Sequence, residues 1–355
     1  MRARLISGMA LGAVAAAVAG CGIVGLLPAP IGPSVTVLAS GLEIAWAMTF
    51  VPDGRLFFTE RPGRLRVIVN DVLQAAPVIT LPVSNAGEGG LLGLAADPNF
   101  STNGYLYVHV TAAGPVNRIQ RLVVTGNTAM QDAVLLDGIP ASTARHNGGR
   151  LKVGPDGMLY ATTGDANNTA LSQNAGSLGG KILRLTRTGS IPNDNPTPGS
   201  YVYTLGHRNP QGLAWDALNT LYATEHGESS NDEVNRIQPG RNYGWPIIQG
   251  RGNNPAYVDP LYLFFPETCA PSGATFVTGG LIPQWNGDLL FTCLRGVHLH
   301  RLRLAGPGSD QVVAEERLYT NTYGRLRDVV VAPDGAVYVT TSNGGLADRL
   351  LRIGR

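Results

Sequence analysis

The sequence predicts an all-β protein built as a six-bladed β-propeller of four-stranded antiparallel blades. Short runs rich in Val, Tyr, Leu and Thr recur along the chain, and none after the first twenty residues keeps a 3.6-residue apolar period. The 46 glycines and 24 prolines supply the turns that join such runs. A chain with this pattern is expected to be almost entirely β.

Six segments share one pattern, in which a turn is followed by an alternating strand. They are VPDGRLFFTE (51–60), NGYLYVHVT (103–111), GPDGMLYATTGD (154–165), DALNTLYATEHG (216–227), WNGDLLFTCLRG (285–296) and APDGAVYVTTSNGG (332–345). A recurrence every 50 to 70 residues, roughly, is typical of propeller blades and too long for the turns of a β-sandwich. The uneven spacing predicts insertions at the blade connections, the longest near residues 190–205 and 228–270.

Composition and charge exclude two broad classes of protein. With 44% hydrophobic and only 15% charged residues in 355, the chain has ample material for a core and is not disordered. The formal net charge is +2, and no Lys/Arg-rich run follows the N-terminus. Nucleic-acid binding is therefore not expected.

Residues 1–21 are predicted to be a lipoprotein signal peptide, because two early arginines precede a short alanine-rich apolar run. The run ends in Val18-Ala19-Gly20-Cys21, which resembles a lipobox with Cys21 as the lipidated residue. Ordinary signal cleavage, with Cys21 incidental, is the alternative. Residues 22–37 are predicted to be a tether and 38–355 the propeller domain. The expected location is outside the cytoplasm, anchored to the bacterial cell membrane through Cys21.

Two further cysteines, Cys269 and Cys293, leave two possibilities open. Disulfides persist in exported proteins, so the two residues could pair. Two buried free thiols are equally compatible with the sequence, because sequence separation does not determine the distance between Cα atoms.

Arginines from three repeats occupy equivalent places beside a turn or a strand start. They are Arg208, Arg295, Arg325 and Arg327. Arg325 and Arg327 alternate in GRLRD and are expected to face the same way. Several guanidinium groups at one end of the channel would imply a ligand with more than one anionic group. The alternative is that each arginine is solvated or locally paired.

His146, in RHNGGRL, is a candidate general base, and Asp165 at the end of the next strand is a candidate to orient its ring. The alternative is a histidine that bonds backbone carbonyls at a turn. His207 and His226 fit that structural interpretation better. The stretch EHGESSNDE (225–233) could bind calcium through oxygen ligands or could simply be a solvated acidic loop.

Taken together, residues 38–354 resemble the soluble aldose sugar dehydrogenases that use pyrroloquinoline quinone (PQQ), the glucose/sorbosone dehydrogenase family. The resemblance rests on eight segments in the family's order: IAWAMTFVPDGRLFFTERPGRLRVI, GEGGLLGLAADPNF, HNGGRLKVGPDGMLYATTGD, LGGKILRLTRTGSIPNDNP, LGHRNPQGLAW, EHGESSNDEVNRIQPGRNYGWP, APSGATFVTGG and GRLRDVVVAPDGAVYV. It implies a six-bladed propeller with the quinone across the channel entrance.

The resemblance also implies roles for individual residues. His146 would take the proton of the sugar's anomeric hydroxyl while hydride passes to the quinone, and Asp165 would orient and polarise His146. The implied quinone contacts are Arg208, Asn209, Gln211, Thr268, Arg295, Arg325 and Arg327. The main-chain oxygens of Gly227 and Glu228 match the family's Ca²⁺ ligands, and Glu88 lies near the expected substrate mouth.

Three residues depart from the family's pattern. Glu228 stands where proline is usual, which keeps a carbonyl ligand but loosens the turn. Arg295 replaces a common lysine, so that a forked donor takes the place of a point charge. Glu88 occupies a place where relatives have glutamine, so the sugar preference cannot be copied from them.

The expected activity is the PQQ- and calcium-dependent oxidation of aldoses to lactones, with electrons passed to an external acceptor. One alternative is a metal-dependent lactonase, which would need inward-facing carboxylates and asparagines around a metal. The other is a non-catalytic propeller that binds a saccharide or a protein.

Overall fold

The computed structural model describes residues 33–354, which form six antiparallel sheets arranged as the blades of one ring. The predicted signal peptide (1–21), with Cys21, and most of the predicted tether (22–37) lie outside the described residues. The first strand begins at Ser34, four residues before the predicted start of the propeller at residue 38.

The strands follow the chain in blade order. After β1 (Ser34–Leu42), blade 1 contains β2 (Ala45–Phe50), β3 (Leu56–Glu60), β4 (Arg64–Val69) and two short outer strands, β5 (Val72–Leu73) and β6 (Ile79–Thr80). Blade 2 contains β7 (Leu91–Ala96), β8 (Tyr105–Ala112), β9 (Val116–Thr125) and β10 (Thr128–Pro140). Blade 3 contains β11 (Leu151–Val153), β12 (Leu159–Thr163), β13 (Lys181–Leu185) and β14 (Val202–Leu205).

The second half of the ring repeats this order. Blade 4 contains β15 (Pro210–Trp215), β16 (Leu221–Glu225), β17 (Asp232–Ile237) and β18 (Tyr262–Phe264). Blade 5 contains β19 (Pro271–Phe276), β20 (Leu289–Cys293), β21 (His298–Leu304) and β22 (Val312–Leu318). Blade 6 combines β23 (Leu326–Val331), β24 (Val337–Thr341) and β25 (Asp348–Gly354) with β1.

Helical structure in the described part of the chain is confined to short turns. These are α1 (Phe100–Asn103), α2 (Ala170–Gln173) and a 3₁₀ turn at Pro283–Trp285. Within residues 33–354 no helix has the length and apolar character needed to cross a membrane.

The predicted six-bladed propeller is confirmed, and each of the six repeated segments contains the second strand of a blade. In blade 3 the turn before that strand uses Pro155-Asp156-Gly157, where Gly157 has φ of 75° and Asp156 Oδ1 accepts the amide of Met158 at 3.1 Å. A positive φ is the reason for glycine there.

The predicted place of the two long insertions is wrong. Residues 186–201 and 238–261 lie between the third and fourth strands of blades 3 and 4, whereas connections between blades were expected. The repeated motif marks only the second strand of each blade, so its spacing cannot show which later connection is long.

The ring closes by pairing the two ends of the described chain. β1 runs antiparallel to β25, with Ser34 opposite Gly354 and Leu42 opposite Asp348. Blade 6 therefore takes its outer strand from the start of the sequence and its other three strands from the end.

The core is divided among the contacts between blades. Each of six buried apolar clusters in the described residues combines side chains from two adjacent blades. Between blades 1 and 2, for example, Phe57 packs with Leu91 and Leu106, all three fully buried. Because both faces of a blade meet a neighbour, strands such as β3, β12 and β16 are buried at every residue.

Candidate active site

The loops that carry the predicted site residues lie at one end of the ring. Neighbouring strands are antiparallel, so the first strand of a blade starts where its second strand ends. First strands of adjacent blades contact each other, for example β15 with β19 and β19 with β23, so this end surrounds the channel. Before or at first-strand starts lie Glu88, His146, Arg208, Asn209, Gln211, Thr268, Arg325 and Arg327; after second strands lie Asp165, Gly227, Glu228 and Arg295.

His146 and Asp165 form a buried hydrogen-bonded pair. His146 Nδ1 lies 2.8 Å from Asp165 Oδ1. A carboxylate can only accept a hydrogen bond, so Nδ1 carries the proton and Nε2 is left as the basic atom. The structure thus brings together the two residues predicted as base and orienting group.

The backbone around this pair needs unusual conformations. His146 has φ of 65°, in the left-handed region that side chains disfavour. At Gly164, a Cβ atom would lie 2.0 Å from the carbonyl oxygen of His146, so only glycine allows the two loops to approach. A strained residue that its surroundings hold in place is typical of functional sites.

Two further contacts hold the Asp165 carboxylate. Oδ1 also accepts the amide of Asn167 at 2.8 Å, and Oδ2 accepts Trp245 Nε1 at 2.9 Å. Burial alone raises the pKa of Asp165, but the hydrogen bonds from His146, Trp245 and Asn167 outweigh it and hold this pKa below its usual range. Asp165 therefore stays ionised and can stabilise a protonated imidazole.

Trp245 is a site residue that the sequence analysis did not single out. It lies in the long segment between β17 and β18, and its amide donates to the carbonyl of Gly206 at 2.9 Å. The guanidinium carbon of Arg208 lies 5.2 Å from the centre of the Trp245 ring. The stretch NYGWP carried part of the family resemblance, and the signal in it was a tryptophan whose N–H needs an acceptor when buried.

Glu88 lies directly beside His146. Its Oε2 atom accepts the amide of His146 at 2.8 Å and approaches Asn209 Nδ2 at 3.5 Å. Asn209 in turn accepts the amide of Gly148 through Oδ1 at 3.0 Å. The carboxylate predicted near the substrate mouth is thus fixed by the same loop that carries His146.

Arg325 and Arg327 meet Gln211 and Ser342 at the start of blade 6. Arg327 Nη1 donates to Gln211 Oε1 at 2.7 Å, and Arg325 Nε donates to the carbonyl of Ser342 at 3.2 Å. Burial, reinforced by the nearby positive charge of Arg325, lowers the pKa of Arg327 to about 9. Arg327 is buried, whereas Arg325 is exposed, and the anions whose charge acts on them, Glu88 and Asp348, accept no hydrogen bond from either guanidinium group.

Arg208 belongs to the same cationic group on the opposite side of the channel end. Its Nη1 atom donates to the carbonyl of His226 at 3.3 Å, and burial lowers its pKa. The Nε atoms of Arg208 and Arg327 are buried and have no hydrogen-bond partner among the described residues. A buried guanidinium donor without a partner is costly, and an anionic ligand would satisfy it.

Arg295 and Thr268 lie beside blade 5 and have other contacts than the arginines described above. Arg295 is exposed, and its amide donates to the carbonyl of Cys269 at 3.0 Å, whereas its neighbour Leu294 is buried. Thr268 Oγ1 donates to Asp232 Oδ2 at 2.7 Å. The structure does not bring the side chain of Arg295 against the other predicted arginines.

The loop predicted to hold calcium is a tight turn after β16. The amide of Gly227 donates to Asp232 Oδ1 at 2.8 Å, and the exposed side chain of Glu228 accepts Gln249 Nε2 at 3.3 Å. Neither the Gly227 nor the Glu228 carbonyl accepts a hydrogen bond within residues 33–354. Both residues line a small cleft that also contains Arg208 and Trp245, so their oxygens remain available to a cation.

The structure also bears on the role expected of His207 and on the pairing of the two cysteines. His207 is fully buried and bridges Glu225 Oε2 at 2.7 Å and Thr204 Oγ1 at 2.9 Å, which fits the structural role expected of it. Cys269 and Cys293 form a disulfide across the start of blade 5, so the open question of their pairing is answered.

Comparison with known proteins gives a consistent result. The glucose/sorbosone dehydrogenase family model matches residues 42–352. Aldose sugar dehydrogenase YliI of Escherichia coli K12 is 31% identical, covering 89% of this chain and 92% of that protein. Quinoprotein glucose dehydrogenase B of Acinetobacter calcoaceticus is 30% identical, covering 87% of this chain and 85% of that protein.

A solved structure extends the likeness to three dimensions. The PQQ-bound form of the aldose sugar dehydrogenase from Streptomyces coelicolor is 36% identical to this chain and superposes with a TM-score of 0.81. The match covers 92% of this chain and 99% of that one. Because the family model matches residues 42–352 and these relatives are similar over most of their length, the chain belongs to the glucose/sorbosone dehydrogenase family.

Proposed function

We propose that this protein oxidises aldose sugars at the anomeric carbon to lactones with pyrroloquinoline quinone as its cofactor. The observation that carries the proposal is the juxtaposition of the buried His146–Asp165 pair with arginines whose Nε atoms have no partner in the described residues. A base for a hydroxyl proton and a receptor for a polyanion thus lie at the same end of the channel. Relatives named as aldose sugar and quinoprotein glucose dehydrogenases support the same conclusion.

The residues present fit a quinone with three carboxylates. Arg325 and Arg327 on one side and Arg208 on the other offer guanidinium groups, with Asn209 and Gln211 as neutral partners. When bound, the quinone supplies the oxidant, which takes two electrons from the anomeric carbon as hydride. Positive charge arranged in advance around an acceptor of negative charge stabilises the transition state.

His146 is proposed to remove the proton of the anomeric hydroxyl. Its Nδ1 proton is held by Asp165, so the incoming proton goes to Nε2 and the imidazolium is stabilised by the ionised carboxylate. The proton on His146 and the hydride on the oxidant together account for the two hydrogens lost when an aldose becomes a lactone. Glu88, whose Oε2 atom accepts the His146 amide, would accept a hydrogen bond from another hydroxyl of the sugar.

Calcium is proposed as a second cofactor. The uncapped carbonyl oxygens of Gly227 and Glu228 would hold the ion, and the adjacent cleft contains Arg208. The ion would supply a Lewis acid beside the quinone.

The protein is further proposed to be exported and anchored through a lipidated Cys21. The support is the arginine-led apolar segment that ends in Val18-Ala19-Gly20-Cys21. Labelling with a radioactive fatty acid in a bacterial host tests this: incorporation should occur in the full chain and disappear in Cys21→Ser.

The enzymatic proposal is tested by titrating the purified apo-protein with PQQ and calcium and measuring dye reduction over a panel of aldoses. Reduction that requires both additions is the expected result. Calcium-dependent hydrolysis of a lactone without quinone would instead indicate a lactonase. Saccharide binding without either reaction would indicate a non-catalytic propeller.

A further inference from the structure

Arg61 occupies a position in blade 1 that corresponds to site residues in other blades. It directly follows the second strand, β3, as His226 follows β16 and Ser342 follows β24. In a propeller, equivalent positions of different blades lie at the same height around the channel. Arg61 is therefore placed at the end of the ring that holds the candidate active site.

The backbone of Arg61 is fixed by close packing. Its amide donates to the carbonyl of Ile44 at 3.1 Å, and its carbonyl accepts the amide of Leu91 at 2.9 Å. At Gly90, a Cβ atom would lie 2.2 Å from the Arg61 carbonyl oxygen and 2.5 Å from Arg61 Cγ. The last glycine of Gly-Glu-Gly-Gly thus makes room for both the backbone and the side chain of Arg61.

The charge of Arg61 adds to that of the other site arginines. Burial lowers the pKa of Arg61, and it lies near enough to Arg327 to lower the pKa of that residue as well. Its Nε atom is buried and has no hydrogen-bond partner among the described residues, like the Nε atoms of Arg208 and Arg327. Glu88 and Glu43 are nearby anions, but Glu88 Oε2 already accepts the amide of His146 and Glu43 Oε2 accepts Arg64 Nη2 at 3.1 Å.

We propose that Arg61 is a further ligand of the cofactor, donating through its guanidinium group to a carboxylate of the bound quinone. This inference rests on the proposed function. A neutral sugar does not require a cation at this position, whereas a tricarboxylate offers acceptors for more guanidinium groups than Arg325 and Arg327 provide. Arg61 would complete the cationic side of the site from blade 1, next to blade 6.

The test is a fluorescence titration of the full apo-chain with PQQ in calcium-containing buffer, which measures the Kd without turnover. Arg61→Ala is expected to raise the Kd at least about tenfold, the usual effect of losing a charge-assisted hydrogen bond. Arg61→Lys should recover part of that loss because it keeps the charge without the fork. Arg55→Ala is the matched control, since Arg55 lies before β3 at its other end and should leave the Kd unchanged.

Several outcomes would overturn the assignment. An unchanged Kd in a folded Arg61→Ala protein, judged by its melting temperature, removes Arg61 from the cofactor site. An unchanged Kd with a raised KM for sugar would place Arg61 on the substrate, through Glu88. Wild-type protein that fails to bind PQQ at all would instead overturn the proposed function itself, and with it this inference. Should Arg61→Ala not fold, Arg61→Lys and Arg61→Gln carry the same comparison.

Discussion

The two sides of the candidate site differ in how complete they are. The base side, around His146 and Asp165, has every hydrogen bond that orients the imidazole supplied by the protein, down to the Trp245 N–H. The cationic side, around Arg61, Arg325 and Arg327, contains buried guanidinium nitrogens without partners in the described residues. The hydrogen bonds of the base side are thus complete without a ligand, whereas on the cationic side buried guanidinium donors remain without a partner among the described residues.

Replacement of His146, the proposed base, should give the largest difference between the effect on kcat and the effect on quinone affinity. His146→Ala is expected to lower kcat by about 100- to 10,000-fold, which is the usual contribution of a positioned general base. Quinone affinity, measured by fluorescence titration, should stay within about threefold of wild type. A large loss of affinity would mean that His146 holds the cofactor and that the two sides are not separate.

Removal of the paired arginines should give the opposite result. Arg325→Ala with Arg327→Ala is expected to raise the Kd for PQQ at least about 100-fold, since two charge-assisted hydrogen bonds are lost. At saturating quinone, kcat should recover most of its wild-type value. An unchanged Kd would exclude both residues from the cofactor site.

A smaller effect is expected from the tryptophan that supports the base side. Trp245→Phe removes the donor to Asp165 Oδ2 and keeps an aromatic ring near Arg208, so kcat should fall roughly tenfold. Trp285→Phe, at a buried apolar position of blade 5, is the control for loss of a tryptophan. The two variants should differ in kcat at equal melting temperature; equal kcat values would show that the Trp245 hydrogen bond does not matter.

The smallest effect concerns pH and stability. Because the pKa of Asp165 is held below its usual value of 3.8 in the folded protein, its ionisation stabilises the fold above that pH. This contribution is lost as the pH falls through the lower folded pKa. The free energy of unfolding of wild type should therefore exceed that of Asp165→Asn near neutral pH, and the gap should narrow on acidification. A gap that widens with acid would show that burial, not hydrogen bonding, dominates Asp165.

The fold could be predicted because each blade contains a similar sequence segment, a turn followed by an alternating strand. Pro155-Asp156-Gly157 and its counterparts precede the second strands of the blades. The number of these segments and their long spacing are enough to favour a propeller over a sandwich. The outer strands vary more, so the start of β1 at Ser34 was not predicted, and the insertion near residues 228–270 was predicted at a connection between blades although it lies between β17 and β18. Neither the pairing of blade 6 with β1 nor the disulfide can be derived from local sequence, because both depend on where distant segments meet.

The sequence analysis proposed site residues where they form motifs and did not single out residues that stand alone. His146, Asp165 and Arg327 belong to short patterns with recognisable chemistry. Trp245 lies 80 positions from Asp165 along the chain, and its role is visible only after the segment between β17 and β18 folds back over blade 3. Arg61 is a single arginine in a loop, and only the equivalence of blades places its backbone at the channel end.

The pairing of β1 with β25 determines when the ring of blades can close during folding. Ser34 and Gly354 are 320 positions apart, so the last contact of the ring waits until nearly all of the chain has left the ribosome. Until then blade 6 lacks its outer strand, and both β1 and β25 present unpaired backbone groups that can join other chains. A truncation of a few residues at either end of this ring should consequently show itself first as aggregation during synthesis, well before any loss of chemistry at the distant channel mouth.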